Sequence, residues 1–314
     1  MKPDLIVICG PTASGKTALA VALAQTLNGE VVSADSMQVY RRMDIGTAKP
    51  TVEEMAGVPH HMIDVADPEE NYSVARYVQE AVPVVDDILA RGRLPIVAGG
   101  TGLYIDNLIA GREFAPFPAD TGLRESLQAR AKAGGLPALR EELARVDPEA
   151  ARRLHPNDEK RIIRALEVWY ATGKTITEHD RESRALPPRY TALTIGLDYA
   201  DRADLRERID RRVDEMMDRG LEAEVRALLD SGVSPGCTAM QAIGYKELAA
   251  ALAEGRPAEE GAEEIKLRSR QYAKRQLTWF RRNRDVRWFR WGSSPDFSQA
   301  LAFSTETAAH CGLQ

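Results

Sequence analysis

The chain has 314 residues, 44% hydrophobic and 28% charged, with a formal net charge of −5. This balance allows a sizeable core and excludes a disordered or collagen-like class. No stretch approaches the ~20 apolar residues of a membrane span, and Cys9, Cys237 and Cys311 form no CxxC pair, which argues against a zinc site or disulfide framework and fits a reducing cytoplasm.

Leu5–Cys9 is a continuous apolar run, as in a strand buried on both faces of a parallel sheet. It is too short for a signal peptide. An Ala/Leu-rich helix follows over Lys16–Leu27 and ends near Asn28 and Gly29. Between them Gly10, Pro11, Thr12, Ala13, Ser14, Gly15, Lys16 and Thr17 match GxxxxGK[ST] at every fixed position. Such a loop wraps a phosphate with backbone N–H groups at the positive end of a helix. Lys16 adds a mobile ammonium, and the Thr17 hydroxyl suits a Mg²⁺ ligand.

A second strand, Glu30–Ser33, runs into Ala34-Asp35-Ser36-Met37-Gln38. Ligands in doubly wound sheets bind beyond the carboxyl ends of strands, so Asp35 is expected in the crevice with Lys16. There a carboxylate serves as a base or holds Mg²⁺ through water; a turn or cap aspartate is the plainer reading. Val74–Arg91 reads as a helix interrupted or kinked near Pro83. Leu94–Ala98 is a third strand, closed by Gly99, Gly100 and Thr101, where Thr101 is either a substrate contact or an N-cap. No strand shows four apolar residues followed by Asp where a nucleotide-hydrolysing motor would want one.

Beyond Phe114, a proline-marked connector (Ala115–Ala119) leads into a charged, helical stretch over 120–185. Strand character returns at Ala192–Leu197, followed by an amphipathic stretch over Arg202–Leu229. The expected fold is therefore an α/β doubly wound parallel sheet of P-loop type, with residues 1–115 and 191–314 as its core and 116–190 as a helical insertion. Ser293–Gln314 is polar and rich in small residues, and reads as partly disordered.

Residues 265–290 hold ten Lys or Arg and one acid, +9, so the rest of the chain sums to −14. A segregation this sharp points to a surface for a polyanion. On a helix Lys266, Arg270, Lys274 and Arg281 form one stripe. Tyr272, Trp279, Phe280, Trp288, Phe289 and Trp291 interleave or follow, as base-stacking rings or as core. His60-His61 lacks a third ligand at suitable spacing, so a polar or capping role is expected. Asn157 or Asp158, after His155, marks a helix start.

Six blocks carry a more specific likeness: GPTASGKT, SADSMQVYRRMDIGTAKP at 33–50, VPHHMIDV at 58–65, VAGGTGLYI at 97–105, HPNDEKRIIRALEV at 155–168 and AKRQLTWFRR at 273–282. In this order they resemble the tRNA dimethylallyltransferase family. The resemblance implies a Mg²⁺-dependent cytoplasmic enzyme, a monomer, acting on the tRNA anticodon stem-loop. It would move a dimethylallyl group from dimethylallyl diphosphate to N6 of the adenosine at position 37. It further implies Asp35 as the base at N6, and Lys16 and Thr101 in the catalytic group. Residues 10–17 would grip the diphosphate, with Thr17 and Asp35 at the metal. Asp35, Ser36, Met37, Gln38, Thr101, Arg124, Lys160, Arg161 and Arg164 would contact tRNA. So would Gln241, Gly244, Tyr245, Lys246, Arg270, Lys274, Arg275, Gln276, Thr278, Trp279 and Arg281. Lys160 departs from the Gln common at that position.

Three other readings share parts of this pattern. A P-loop kinase of a small metabolite would use Asp35 on a hydroxyl but leaves the basic segment without a purpose. A prenyltransferase of free AMP, ADP or ATP has less need of a basic surface, and a non-catalytic RNA-binding P-loop module would make Asp35 dispensable.

Overall fold

In a computed structural model of the chain, described over residues 2–112 and 121–313, two compact units are separate in their contacts. One comprises residues up to Gly111 and from Arg189 onward, the other Arg112–Pro188. The connector at 115–119 lies outside the described residues.

The first unit is built on a six-stranded sheet: β1 (Leu5–Cys9), β2 (Gly29–Ser33), β3 (His60–His61), β4 (Leu94–Gly99), β5 (Ala192–Tyr199) and β6 (Arg287–Trp291). The order is β3-β2-β4-β1-β5-β6, and every pairing is parallel. Alternation divides the apolar strands between two faces. In β1, Leu5, Val7 and Cys9 enter one core while Ile6 and Ile8 enter the other. Helix α1 (Lys16–Thr26) packs on the second face; α2 is a short turn at Val52–Met55. On the first face lie α3 (Val74–Ala90), which continues through Pro83, and α4 (Gly102–Ala110). An edge strand at His60–His61 was not foreseen; His61 Nε2 lies 2.7 Å from Glu30, itself held by Arg91 and Arg93. That is the polar role expected of the histidine pair.

The second unit is helical: α5 (Thr121–Arg130), α6 (Leu136–Val146), α7 (Pro148–Arg153), α8 (Glu159–Thr172) and α9 (Ile176–Ala185), with a π turn over Ala131–Gly135. Leu127, Leu139, Leu143, Ile162 and Leu166 form its core. Asp158 caps α8 by accepting the Arg161 N–H at 3.3 Å.

The chain returns to the first unit for α10 (Arg202–Asp218), α11 (Leu221–Asp230), α12 (Tyr245–Ala253), α13 (Ala258–Phe280) and α14 (Phe297–His310). Helices α10 and α13 give side chains to both cores: Val213 and Phe280 to one, Ile209 and Leu277 to the other. The C-terminal stretch expected to be partly disordered is instead helix α14. Ala300, Ser304 and Ala308 recur every four residues, are fully buried, and let α14 pack on the α1 side.

Candidate active site

The carboxyl ends of β1, β2 and β4 bring three turns together. The first, Gly10–Gly15, needs left-handed backbone at Gly15 (φ 84°), where α1 begins. Lys16 Nζ donates to the Pro11 carbonyl at 2.7 Å, and Trp291 Nε1 donates to the Ser14 carbonyl at 3.0 Å. The Ser14 hydroxyl is buried with no partner among the described residues. A polar donor inside a loop of this shape is placed for an anion's oxygen.

The second turn follows β2. Asp35 Oδ1 accepts the N–H groups of Met37 at 2.9 Å and Gln38 at 3.4 Å, so the turn role is real. Among the described residues its second oxygen, Oδ2, takes no hydrogen bond, and Asp35 lines the cavity beside Lys16. The third turn follows β4: Thr101 Oγ1 accepts the Ser36 N–H at 3.1 Å. Thr101 thus ties two turns together, and its hydroxyl does not cap α4.

These turns and α10 enclose a cavity of about 490 Å³ lined by residues 12–18, Asp35, Lys49, Arg208, Arg211, Arg212 and Arg219, among others. Six cationic side chains face three carboxylates, Asp35, Glu54 and Glu215. Not all are free to hold an anion. Lys49 lies 2.5 Å from both Asp44 and Asp64, and Arg211 pairs with Glu207. Arg208, Arg212 and Arg219 form no ion pair among the described residues. Burial and the neighbouring Arg212 lower the Lys16 pKa to about 8, against a smaller opposing pull from Asp35. Burial also lowers the pKa of Arg212. Cations crowded in this way attract an anion.

The arginines of α10 were missed from the sequence. Their signal was there: 208, 212 and 219 are four and seven apart, one face of a helix. Tyr272 was noted only as a stacking candidate. It lines this cavity and a second one, and burial with the nearby Asp35 raises its pKa to about 12, so the hydroxyl stays protonated.

The second cavity, about 280 Å³, is lined by Asp35, Ser36, Met37, Gln241, Arg275 and apolar residues including Ile209, Val213 and Ile265. Five expected contact residues therefore meet there. Gln38 lines the first cavity, but its amide donates to the carbonyls of Thr47 and Ala48 and accepts from Ser33.

Other expected RNA contacts have internal partners. Tyr245 is fully buried, its hydroxyl donating to Glu224 at 2.5 Å; Gly244, just before it, is the left-handed start of α12 (φ 103°). Gln276 is 5% exposed and joins two of the turns, accepting the Thr12 N–H and donating to Gly100 O. The basic stripe is partly neutralised by α10: Lys266 pairs with Asp214 and Arg270 with Asp210. Arg281 pairs with Asp198. Lys274 and Lys246 are exposed and form no ion pair among the described residues, and Thr278 is exposed, its hydroxyl on the Lys274 carbonyl. Trp279 donates to Asp106 at 3.0 Å with Arg282 over its ring. Trp288, Phe289 and Trp291 belong to β6, and Trp291 is buried under the Ser14 carbonyl, so sheet pairing rather than base stacking places them.

Within the helical unit, Arg124 and Arg164 both grip Glu167, at 2.8 Å each. Arg161 is largely exposed beside Asp158 at 3.3 Å, and Lys160 is exposed.

Comparison with known proteins agrees with this arrangement. A family model described as IPP transferase matches residues 38–283. The tRNA dimethylallyltransferase of Caldanaerobacter subterraneus subsp. tengcongensis is 49% identical over 290 residues, 92% of each chain. That of Geobacter sulfurreducens is 49% identical over 302 residues, 96% of each chain. A tRNA isopentenylpyrophosphate transferase of Bacillus halodurans superposes with a TM-score of 0.73 at 44% identity, covering 99% of this chain and 98% of that one. A eukaryotic dimethylallyltransferase acting on tRNA gives 0.78 at 31% identity, covering 98% and 79%. With a family model over residues 38–283 and a relative 49% identical over 92% of its length, the chain belongs to the IPP transferase family.

Proposed function

We propose that the chain transfers a dimethylallyl group from dimethylallyl diphosphate to N6 of the adenosine at tRNA position 37, releasing diphosphate. The observation that carries this reading is the place of Asp35. Its carboxylate lies where a cation-lined cavity beside the P-loop meets a second cavity with an apolar wall. One suits a diphosphate and the other a base.

The adenine N6 is a poor nucleophile, because its lone pair is delocalised into the ring. Asp35 takes the N6 proton as the N–C bond forms, a contribution of about 10²–10⁴-fold for a positioned base. Residues 10–17 and the arginines Arg208, Arg212 and Arg219 hold the diphosphate and stabilise the charge it gains on leaving. The P-loop here serves a leaving group rather than a transferred phosphoryl. Thr101, through Ser36, keeps the Asp35 turn in register.

Mg²⁺ fits the oxygen donors present. Thr17 and Asp35 line the same cavity, and no cluster of three or more His, Cys, Asp or Glu ligands occurs among the described residues. That matches an ion held by one or two protein oxygens together with substrate phosphates. When bound, it would neutralise charge on the departing diphosphate.

The tRNA contacts we assign are Ser36, Met37, Gln241 and Arg275 around the second cavity, with Thr101 bonded to Ser36 and with Lys246, Lys274, Thr278 and Trp279 outside the cavity. Arg124, Lys160, Arg161 and Arg164 of the helical unit would meet the anticodon stem-loop. No described helix is long and apolar enough to cross a membrane, and a tRNA substrate with three free cysteines supports a cytoplasmic setting.

The test is incubation with dimethylallyl diphosphate and unmodified tRNA, followed by mass spectrometry of the nucleosides. The expected product is N6-dimethylallyladenosine from tRNA, at a rate well above that from free AMP, ADP or ATP. Preferential modification of a free nucleotide, or phosphate transfer from ATP to a small alcohol, would overturn the assignment.

A further inference from the structure

The two cavities beside Asp35 share part of their walls. Asp35, Arg212, Met216 and Tyr272 line both. If the loop holds the diphosphate and the acceptor amine enters through the second cavity, the reacting carbon lies at this junction. Displacement at that carbon sets the incoming nitrogen and the departing oxygen on opposite sides, so bound reactants must already lie on one axis. The remaining carbons of the allylic chain then project sideways from the axis, against whatever apolar side chains the junction offers. The large ones are Met216 and Tyr272.

These two differ in freedom. Tyr272 is a rigid ring with Thr101 and Gln276 near its hydroxyl. Met216 is a partly buried, unbranched thioether on α10, one turn beyond Arg212. Nothing in the bond exchange depends on chain length: N6–C1 forms, C1–O breaks, the electron pair leaves with the diphosphate and the N6 proton goes to Asp35. Discrimination among allylic diphosphates must therefore come from space.

We propose that Met216 sets the chain length of the allylic donor, closing the junction behind a five-carbon group so that longer homologues do not fit. The proposal rests on the prenyl-transfer reading above.

The experiment offers tRNA an equimolar mixture of dimethylallyl and geranyl diphosphate and reads the two modified nucleosides by mass spectrometry. Met216→Ala is expected to raise the geranyl-to-dimethylallyl product ratio at least about tenfold, the scale on which a hydrophobic pocket discriminates by methylene groups. Val213→Ala, which enlarges only the second cavity, is expected to leave that ratio near the unsubstituted enzyme's. Should the alanine variant be poorly folded, Met216→Val opens part of the same space, and an intermediate rise is expected. An unchanged ratio in both Met216 variants overturns the proposal, as does a rise confined to Val213→Ala, which would put the chain in the second cavity. Absence of any prenylated adenosine from the unsubstituted enzyme refutes the prenyl-transfer reading itself, and the proposal with it.

Discussion

The side-chain carbonyl of Gln276 accepts the Thr12 N–H at 2.8 Å, while its amide donates to the Gly100 carbonyl at 3.0 Å. One residue of α13 thus joins the turn after β1 to the turn after β4. There is no room beside it: a Cβ added at Gly100 would fall 2.1 Å from Gln276 Nε2.

Gln276→Leu leaves a backbone donor and a backbone acceptor without that partner, at about 1–3 kcal/mol for each that stays buried. We expect a stability loss of about 2–4 kcal/mol in denaturant titrations, and a raised KM for dimethylallyl diphosphate, since the loop loses its brace. Gln276→Glu keeps an acceptor for Thr12 but cannot donate to Gly100 when ionised, so its loss should be smaller. Equal stability of all three proteins would show that the brace is dispensable.

Lys16 makes diphosphate binding dependent on pH. Its pKa is lowered from an ordinary 10.5 to about 8 by burial and by Arg212. The protonated form binds the anion. Below about pH 8 the free enzyme already carries that proton; above it, binding must take the proton up. The affinity for a non-reactive diphosphate analogue should therefore be flat below pH 8 and fall about tenfold per unit above it. Lys16→Ala should bind weakly with no such break and abolish transfer. A break that survives the substitution would assign the titration to another group.

Asp35→Asn keeps an oxygen for the Met37 N–H, and so the shape of the turn. Both substrates should still bind, while single-turnover prenyl transfer slows by about 10²-fold or more, as for a lost base. Weak tRNA binding with normal turnover of the bound fraction would make Asp35 a positioning residue.

Lys274 and Arg270 stand one helical turn apart on α13 but should behave differently. Arg270 is held by Asp210 at 2.6 Å, whereas Lys274 is exposed with no ion pair among the described residues. In tRNA titrations at several salt concentrations, Lys274→Ala should reduce the slope of log affinity against log salt by roughly 0.7–0.9. Arg270→Ala should barely change that slope, and its half-exposed ion pair is worth about 1 kcal/mol or less to stability. The opposite pattern would mean that Arg270 leaves Asp210 for a phosphate when tRNA docks.

What the sequence determined by itself is the chemistry that is contiguous in it. The apolar run Leu5–Cys9, the loop Gly10–Thr17 and the Asp35 and Thr101 turns each follow from a few neighbouring residues. Backbone geometry and strand burial act locally, so the P-loop and the crevice were legible. What only the tertiary structure decided is the use made of each charge and ring. Lys266 and Arg270 read like Arg212 in sequence. Yet α13 and α10 run in opposite directions, so Asp214 and Asp210 meet the first two while Arg212 turns to the cavity. Trp291 and Tyr272 likewise look alike as candidate platforms, but sheet pairing buries one under the P-loop and helix packing sets the other between the two cavities. A charge or an aromatic ring takes its role from its partner. These partners lie tens to hundreds of residues away, and no local pattern encodes them.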